Sequence, residues 1–183
     1  MGIPLFVLRF PLSELREIAA RYSVVEDPEI EEISKVTREQ GYYTREGFLR
    51  VSKWKGLPTR PHRGENDEDT VREVTRLALT TPIEHLRIEA LTLLQGVTWP
   101  SASVLLHFGH RDPYPILEPR ALWSFGIERP PDEYDFEFWW TYVQACRAQV
   151  EATGVEMRAL DRALWQFSKE QSTTRSAVRD PIA

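Results

Sequence analysis

One cysteine, Cys146, stands in the whole chain. That excludes an internal disulfide, a cysteine-rich zinc site and a four-cysteine iron–sulfur cluster, since each needs further thiolates. Long apolar runs are also missing, and nothing approaches the roughly 18 residues that span a bilayer. The apolar stretch Pro4 to Leu8 is too short for a secretory core and has no basic flank before it. Position 6 holds Phe rather than the Ser or Thr expected of a myristoylation signal. Sustained period-2 alternation is absent, save for a short extended lead-in over Ile3 to Phe10. No internal repeat or low-complexity tract occurs. Positive charge is in deficit too: a net charge of −5 argues against a general nucleic-acid coat, which needs Lys and Arg to neutralise phosphate. A soluble cytoplasmic protein with no membrane partner and no cofactor is the expectation.

What is present is an ordinary globular composition, 42% hydrophobic and 28% charged over 183 residues. That length suffices for one helical domain over 1–183, or for two packed lobes at about 1–80 and 81–171, with a loose tail at 172–183. Helix signals dominate. Ser13 caps a first helix reaching Tyr22. Asp27-Pro28 is an N-cap followed by Pro at the first helical position, and Gly41 ends that helix, whose apolar face is Ile30, Ile33 and Val36. Thr44 opens the next, and Asn66 or Asp67 another. Thr81-Pro82-Ile83-Glu84 reads as a capping box, and Ile83, Leu86, Ala90 and Leu93 form the stripe expected to be buried behind it. Later helices are expected over Trp99–Phe108, Pro119–Phe125, from Asp132 or Asp135 to Gly154, and Val155–Gln171. The fold class is all-α.

Two local features carry chemistry. Leu94-Gln95-Gly96-Val97-Thr98 joins two helices by a tight turn, and Gly96 has the conformational freedom such a turn demands. Thr98 is placed to cap the second helix, with Pro100 in its first turn. The turn therefore has two readings: an anion cradle of backbone amides and the Thr98 hydroxyl, or a joint whose amides Thr98 satisfies itself. The second feature is Glu118, just ahead of Pro119 at a helix start. It can act as a general base or stabilise a developing positive charge, or it can serve the helix dipole or pair with Arg120.

Around these lie weaker candidates. Between Arg45 and Arg63 six cations (Arg45, Arg50, Lys53, Lys55, Arg60 and Arg63) face the single acid Glu46, with Trp54 and His62 among them. Such a run is either a nucleic-acid footprint or a solvated face followed by a loop. His107, His110 and Asp112 have metal-ligand spacing but sit in an ordinary polar turn, so no metal is assigned. Trp139 and Trp140 offer stacking surfaces, although one of two adjacent helical residues faces the core. Cys146 lies on an apolar face and reads as inert.

Taken together, Leu94-Gln95-Gly96-Val97-Thr98 with Ala102, followed by Tyr114-Pro115-Ile116-Leu117-Glu118, resembles the helix-hairpin-helix DNA glycosylase (HhH-GPD) superfamily over roughly residues 82–126. Trp54-Lys55 to Arg60 and Leu160 to Gln166 look similar to its uncharacterised bacterial members. The resemblance implies a multi-helix HhH-GPD fold and duplex DNA, damaged or not, as partner. Its phosphates would lie on Gly96, Val97 and Thr98, with Lys53, Lys55 and Arg60 holding backbone elsewhere. It further implies a monofunctional N-glycosylase in base-excision repair, with Glu118 in the place of the family's catalytic aspartate. Thr98 stands where the hairpin's second glycine would be. Pro100 stands where bifunctional members carry a lysine, which excludes Schiff-base lyase chemistry from that position. The alternative is a non-catalytic protein of the same fold, acting as a nucleic-acid or protein interaction module.

Overall fold

A computed structural model describes residues 6–24, 27–54 and 61–179, and among them the only regular structure is helical. The chain forms two compact units, one from Val25–Leu117 and the other from Met1–Val24 with Glu118–Ala183.

In the first of these, α2 (Pro28–Gln40) starts where Asp27 accepts from the Glu29 amide at 3.0 Å. It ends at Gly41, whose φ of +77° is a left-handed C-cap that a side chain would strain. Thr44 caps α3 (Arg45–Ser52) through the Gly47 amide, and Asp67 caps α4 (Glu68–Thr80) through the Thr70 amide. These caps stand where the sequence places them, because a cap depends only on residues within one turn of it. Helix α6 (Trp99–Gly109) is buried along its whole length from Ser101 onward, and α2, α3 and the short α5 (Glu84–Leu91) all pack on it.

Helix α5 corrects the sequence reading twice. It begins at Glu84 rather than Pro82, because Thr81 ends α4 and its hydroxyl accepts from the Ile83 amide at 3.2 Å instead of capping a helix. Its buried stripe is also the other one. Ile83, Leu86 and Leu93 are exposed (57, 39 and 69%), while Arg87, Ile88, Ala90 and Leu91 are buried. Arg87 makes that burial possible. Its guanidinium donates to the carbonyls of Ala78 and Thr81, to His110 Nε2 and to Glu84 Oε2, while Tyr114 donates its hydroxyl to the same Glu84 carboxylate at 2.7 Å. A buried guanidinium is tolerated only with its donors matched in this way.

His110 gains a pH dependence from this arrangement. Burial first, and then the Arg87 charge, hold its imidazole below the ordinary histidine value. The Asp112 carboxylate, the backbone bond at Asp112 and the Glu84 carboxylate oppose this shift without reversing it. The unfolded chain therefore binds the second ring proton more readily. The stability contributed is complete above about pH 6.5 and is lost as pH falls below it toward the folded value. Denaturant titrations between about pH 7 and 5 should show stability falling with acid, with a shallower slope in His110→Gln. An unchanged slope would refute it. The lowered carboxylates Asp67 and Glu170 act at more acid pH and do not blur this window.

The other unit is built from α1 (Leu15–Ala20), α7 (Pro119–Ser124), α8 (Phe136–Thr153) and α9 (Met157–Arg179), with α1, α7 and α8 packed on α9. No side chain caps α1: a short 3-10 turn over Leu12–Glu14 leads into it, which displaces the expected Ser13 cap. Asp135 caps α8 through the Phe138 amide at 2.8 Å. Trp139, Tyr142, Cys146 and Leu160 are fully buried, Trp140 only partly, so the tryptophan pair divides between core and surface. Helix α9 continues past Gln171 to Arg179, where the sequence suggested a loose tail. No glycine or proline interrupts the chain between Gly154 and Pro181, so nothing local stops the helix. Of the expected lead-in, Ile3 to Leu5 lie outside the described residues, and the amides of Val7 and Arg9 donate to the Phe125 and Ser124 carbonyls at 3.1 and 2.9 Å.

Candidate functional site

The turn between α5 and α6 is built by successive tight hydrogen bonds. Amides of Leu93, Leu94 and Val97 donate to the carbonyls three residues earlier, at 3.1, 3.2 and 3.1 Å, so α5 winds down instead of stopping abruptly. Gly96 follows with φ +74°, a value that favours glycine and reverses the chain. Leu94 and Val97 are buried at 1 and 7%, which anchors the turn on apolar contacts at both ends.

Two polar side chains brace it from within. Asn66 accepts from the Gln95 amide at 2.8 Å and donates to the Gln95 carbonyl at 3.1 Å, which holds the two peptide groups on either side of Gln95. Arg63, only 5% exposed, donates through Nε to the Gly96 carbonyl at 3.1 Å. It also reaches the Ser52 carbonyl, and Ser101 Oγ at 2.7 Å. All three are neutral oxygens, and the guanidinium sits at the start of α6, where the helix dipole is also positive.

Thr98 occupies the N-cap position in extended conformation, but its hydroxyl makes no capping bond to the helix. It lies 3.3 Å from Ser101 Oγ instead. Its own amide and that of Gly96 find no acceptor among the described residues, while the Val97 amide is used inside the turn. The second reading of the turn, amides satisfied by Thr98, is therefore not what the geometry contains. A turn with two open amides at a helix start can receive an oxyanion.

No family model, curated protein or solved structure matches this chain. The site has to be judged from its own residues.

Glu118 belongs to the other unit. It is the N-cap of α7 in extended conformation, partly exposed, with no capping bond from its side chain. Its carbonyl accepts from Leu122 at 3.0 Å. Arg120 turns to Ser172 Oγ at 3.0 Å and lies over the Trp165 ring, not toward Glu118 as one of the readings had it. Beneath lies Tyr142, whose phenol is held well above its ordinary value by burial first, then by Cys146 and by the Asp161 and Glu118 carboxylates. Asp161, 2% exposed and accepting from Arg158 at 2.5 Å, is a buried acid that the sequence does not single out. Burial likewise pushes the Cys146 thiol up, so it stays protonated and inert as expected.

The cationic run from Arg45 to Arg63 is dispersed. Arg50 pairs with Asp27 and Glu29, Arg45 donates to the Asn66 and Gly64 carbonyls, His62 meets Glu65, and Arg63 is inside. Lys53 remains exposed at the end of α3, and Trp54 packs edge-on against Phe108. Lys55 and Arg60 lie outside the described residues. His107 Nδ1 meets the Tyr114 carbonyl at 2.7 Å, while His110 Nε2 is held against the Arg87 guanidinium. The residue the sequence undervalues is Arg63: it reads as one cation among six, and nothing local distinguishes a buried brace from a surface charge.

Proposed function

We propose that this is a DNA-binding protein similar to base-excision-repair glycosylases, with an HhH-GPD-like fold and a hairpin over Gly96, Val97 and Thr98 that receives a backbone phosphate. The observation that carries the reading is the open Gly96 and Thr98 amides above a buried Arg63, in a turn held by Asn66. Exposed Lys53 supplies a further phosphate contact, and Lys55 and Arg60 extend it. Glu118 serves as the carboxylate of a monofunctional N-glycosylase, activating water or stabilising the sugar cation as the base departs.

The test has two arms. Duplex DNA carrying an abasic-site analogue should bind at low salt and weaken with added salt, with a slope near −0.9 per phosphate neutralised. No binding at low salt would refute the proposal. Release of a free base from a panel of damaged duplexes should fall about 10²–10⁴-fold in Glu118→Gln. Binding without release by the unaltered protein would leave the non-catalytic interaction module as the function.

A further inference from the structure

We infer that α9 presents a basic, aromatic ridge that binds single-stranded nucleic acid, with one base stacked on Trp165. This does not rest on the hairpin reading: the ridge belongs to the other unit and shares no residue with the hairpin, Lys53 or Glu118. The chain carries a net charge of −5, yet α9 holds five cations (Arg158, Arg162, Lys169, Arg175 and Arg179) against two acids, Asp161 and Glu170. Both acids are engaged. Asp161, 2% exposed, accepts from Arg158 at 2.5 Å, and Glu170 receives Arg21 on its two oxygens at 2.9 and 3.0 Å. The most basic helix of an acidic protein is thus left with an excess of positive charge, which a chain of phosphates complements.

Rings are interleaved with that charge. Arg158, Arg162, Trp165 and Lys169 follow one another at four, three and four residues, which puts them on one face of α9, and all are partly exposed. Lys169 Nζ lies 5.1 Å from the centre of the Trp165 ring, and the Arg120 guanidinium of α7 lies 5.5 Å from it. Arg120 forms no ion pair among the described residues. Tyr22 meets Trp165 edge-on at 5.3 Å and has Arg158 and Arg162 over its own ring at 5.8 and 6.0 Å. Arg162 and Lys169 stand about 10 Å apart along the helix axis with Trp165 between them, so a base on the indole has a cation on each side for its flanking phosphates. Lys169, on a flexible stem, is the cation that gives way to the base and then meets a phosphate. An acidic peptide would use the charge and not the rings. A lipid surface would need large aliphatic side chains, and α9 exposes none among the described residues. A stacked base with its phosphates uses both features.

The experiment follows the fluorescence anisotropy of labelled strands titrated with the protein at low ionic strength: oligothymidylate, and an abasic deoxyribose-phosphate strand of the same length. Oligothymidylate should bind, with a salt slope near −0.7 per phosphate neutralised. The abasic strand should bind about tenfold more weakly at a similar slope, because it has no base to stack. Trp165→Leu should erase that preference. Trp165→Phe, which keeps a ring in the same packing, should retain most of it and so separates stacking from a folding defect. Lys169→Gln and Arg120→Gln should each make the slope shallower by about one phosphate contact while the preference for bases stays. Duplex binding, which the hairpin reading concerns, should be unaffected by Trp165→Leu, so either inference can fail without the other. Absence of oligothymidylate binding at low salt, equal binding of the two strands, or an unchanged preference in Trp165→Leu would overturn the ridge as a single-strand site. So would displacement of the strand by polyglutamate as readily as by unlabelled oligothymidylate, which would assign the ridge to an acidic protein instead.

Discussion

Arg87→Ala is expected to destabilise the unit spanning Val25–Leu117 by about 3–5 kcal/mol, read from the denaturant midpoint at constant slope. The argument rests on what the guanidinium leaves behind. Ala78 and Thr81 would each lose a donor to their carbonyls, His110 Nε2 would face an empty space, and Glu84 would keep only the Tyr114 hydroxyl. Arg87 is 5% exposed, so water reaches these groups poorly and the full desolvation cost applies. Arg87→Met separates packing from hydrogen bonding. It restores the apolar stem lying beside Tyr114 and should recover only a minor part of the loss. A loss below about 1 kcal/mol for Arg87→Ala would mean that Ile88 and Leu91 bury α5 without help from the polar network.

That network explains why the face of α5 was not legible. The segment carries two apolar stripes at helical spacing: Ile83, Leu86, Ala90 and Leu93, and Ile88, Leu91 and Leu94 flanked by Arg87. Hydrophobicity alone favours the first, because it contains no charge. The fold uses the second, since α4 ends with carbonyls that require donors and Arg87 is the residue that reaches them. A partner contributed by another helix is invisible to any local pattern. Helix ends behave in the opposite way. Asp27, Thr44, Asp67 and Asp135 bond amides two or three residues along the chain, so the sequence contains the whole interaction. The all-α character was legible for the same reason. Thr98 marks the boundary between these cases. Its N-cap position is local and was foreseen, but its hydroxyl is diverted toward Ser101, which Arg63 holds from a distant segment. Glu118 divides similarly: its place before Pro119 is plain in the sequence, while Arg120's turn toward Ser172 and Trp165 belongs to the packing of α7 on α9.

Arg63→Ala is the sharpest test of the hairpin, because it removes the brace while leaving every residue of the turn in place. Three acceptors lose their donor together, at Gly96, Ser52 and Ser101, and a buried side chain disappears with them. A stability loss of about 2–4 kcal/mol follows from unmade buried bonds alone. Arg63→Lys should recover little, since one ammonium on a flexible stem cannot reproduce a planar fork directed at three separate oxygens. The functional consequence is separable from the structural one. At a temperature where the variant stays folded, a loosened Gly96 peptide should weaken DNA binding while the salt slope stays nearly the same, because Arg63 is inside and neutralises no phosphate itself. Lys53→Ala should do the reverse, with stability within about 0.5 kcal/mol of the parent and the slope shallower by about one phosphate contact. If Arg63→Ala reduced the slope as much as Lys53→Ala does, the buried guanidinium would itself be a phosphate ligand, and the turn would have to open to expose it.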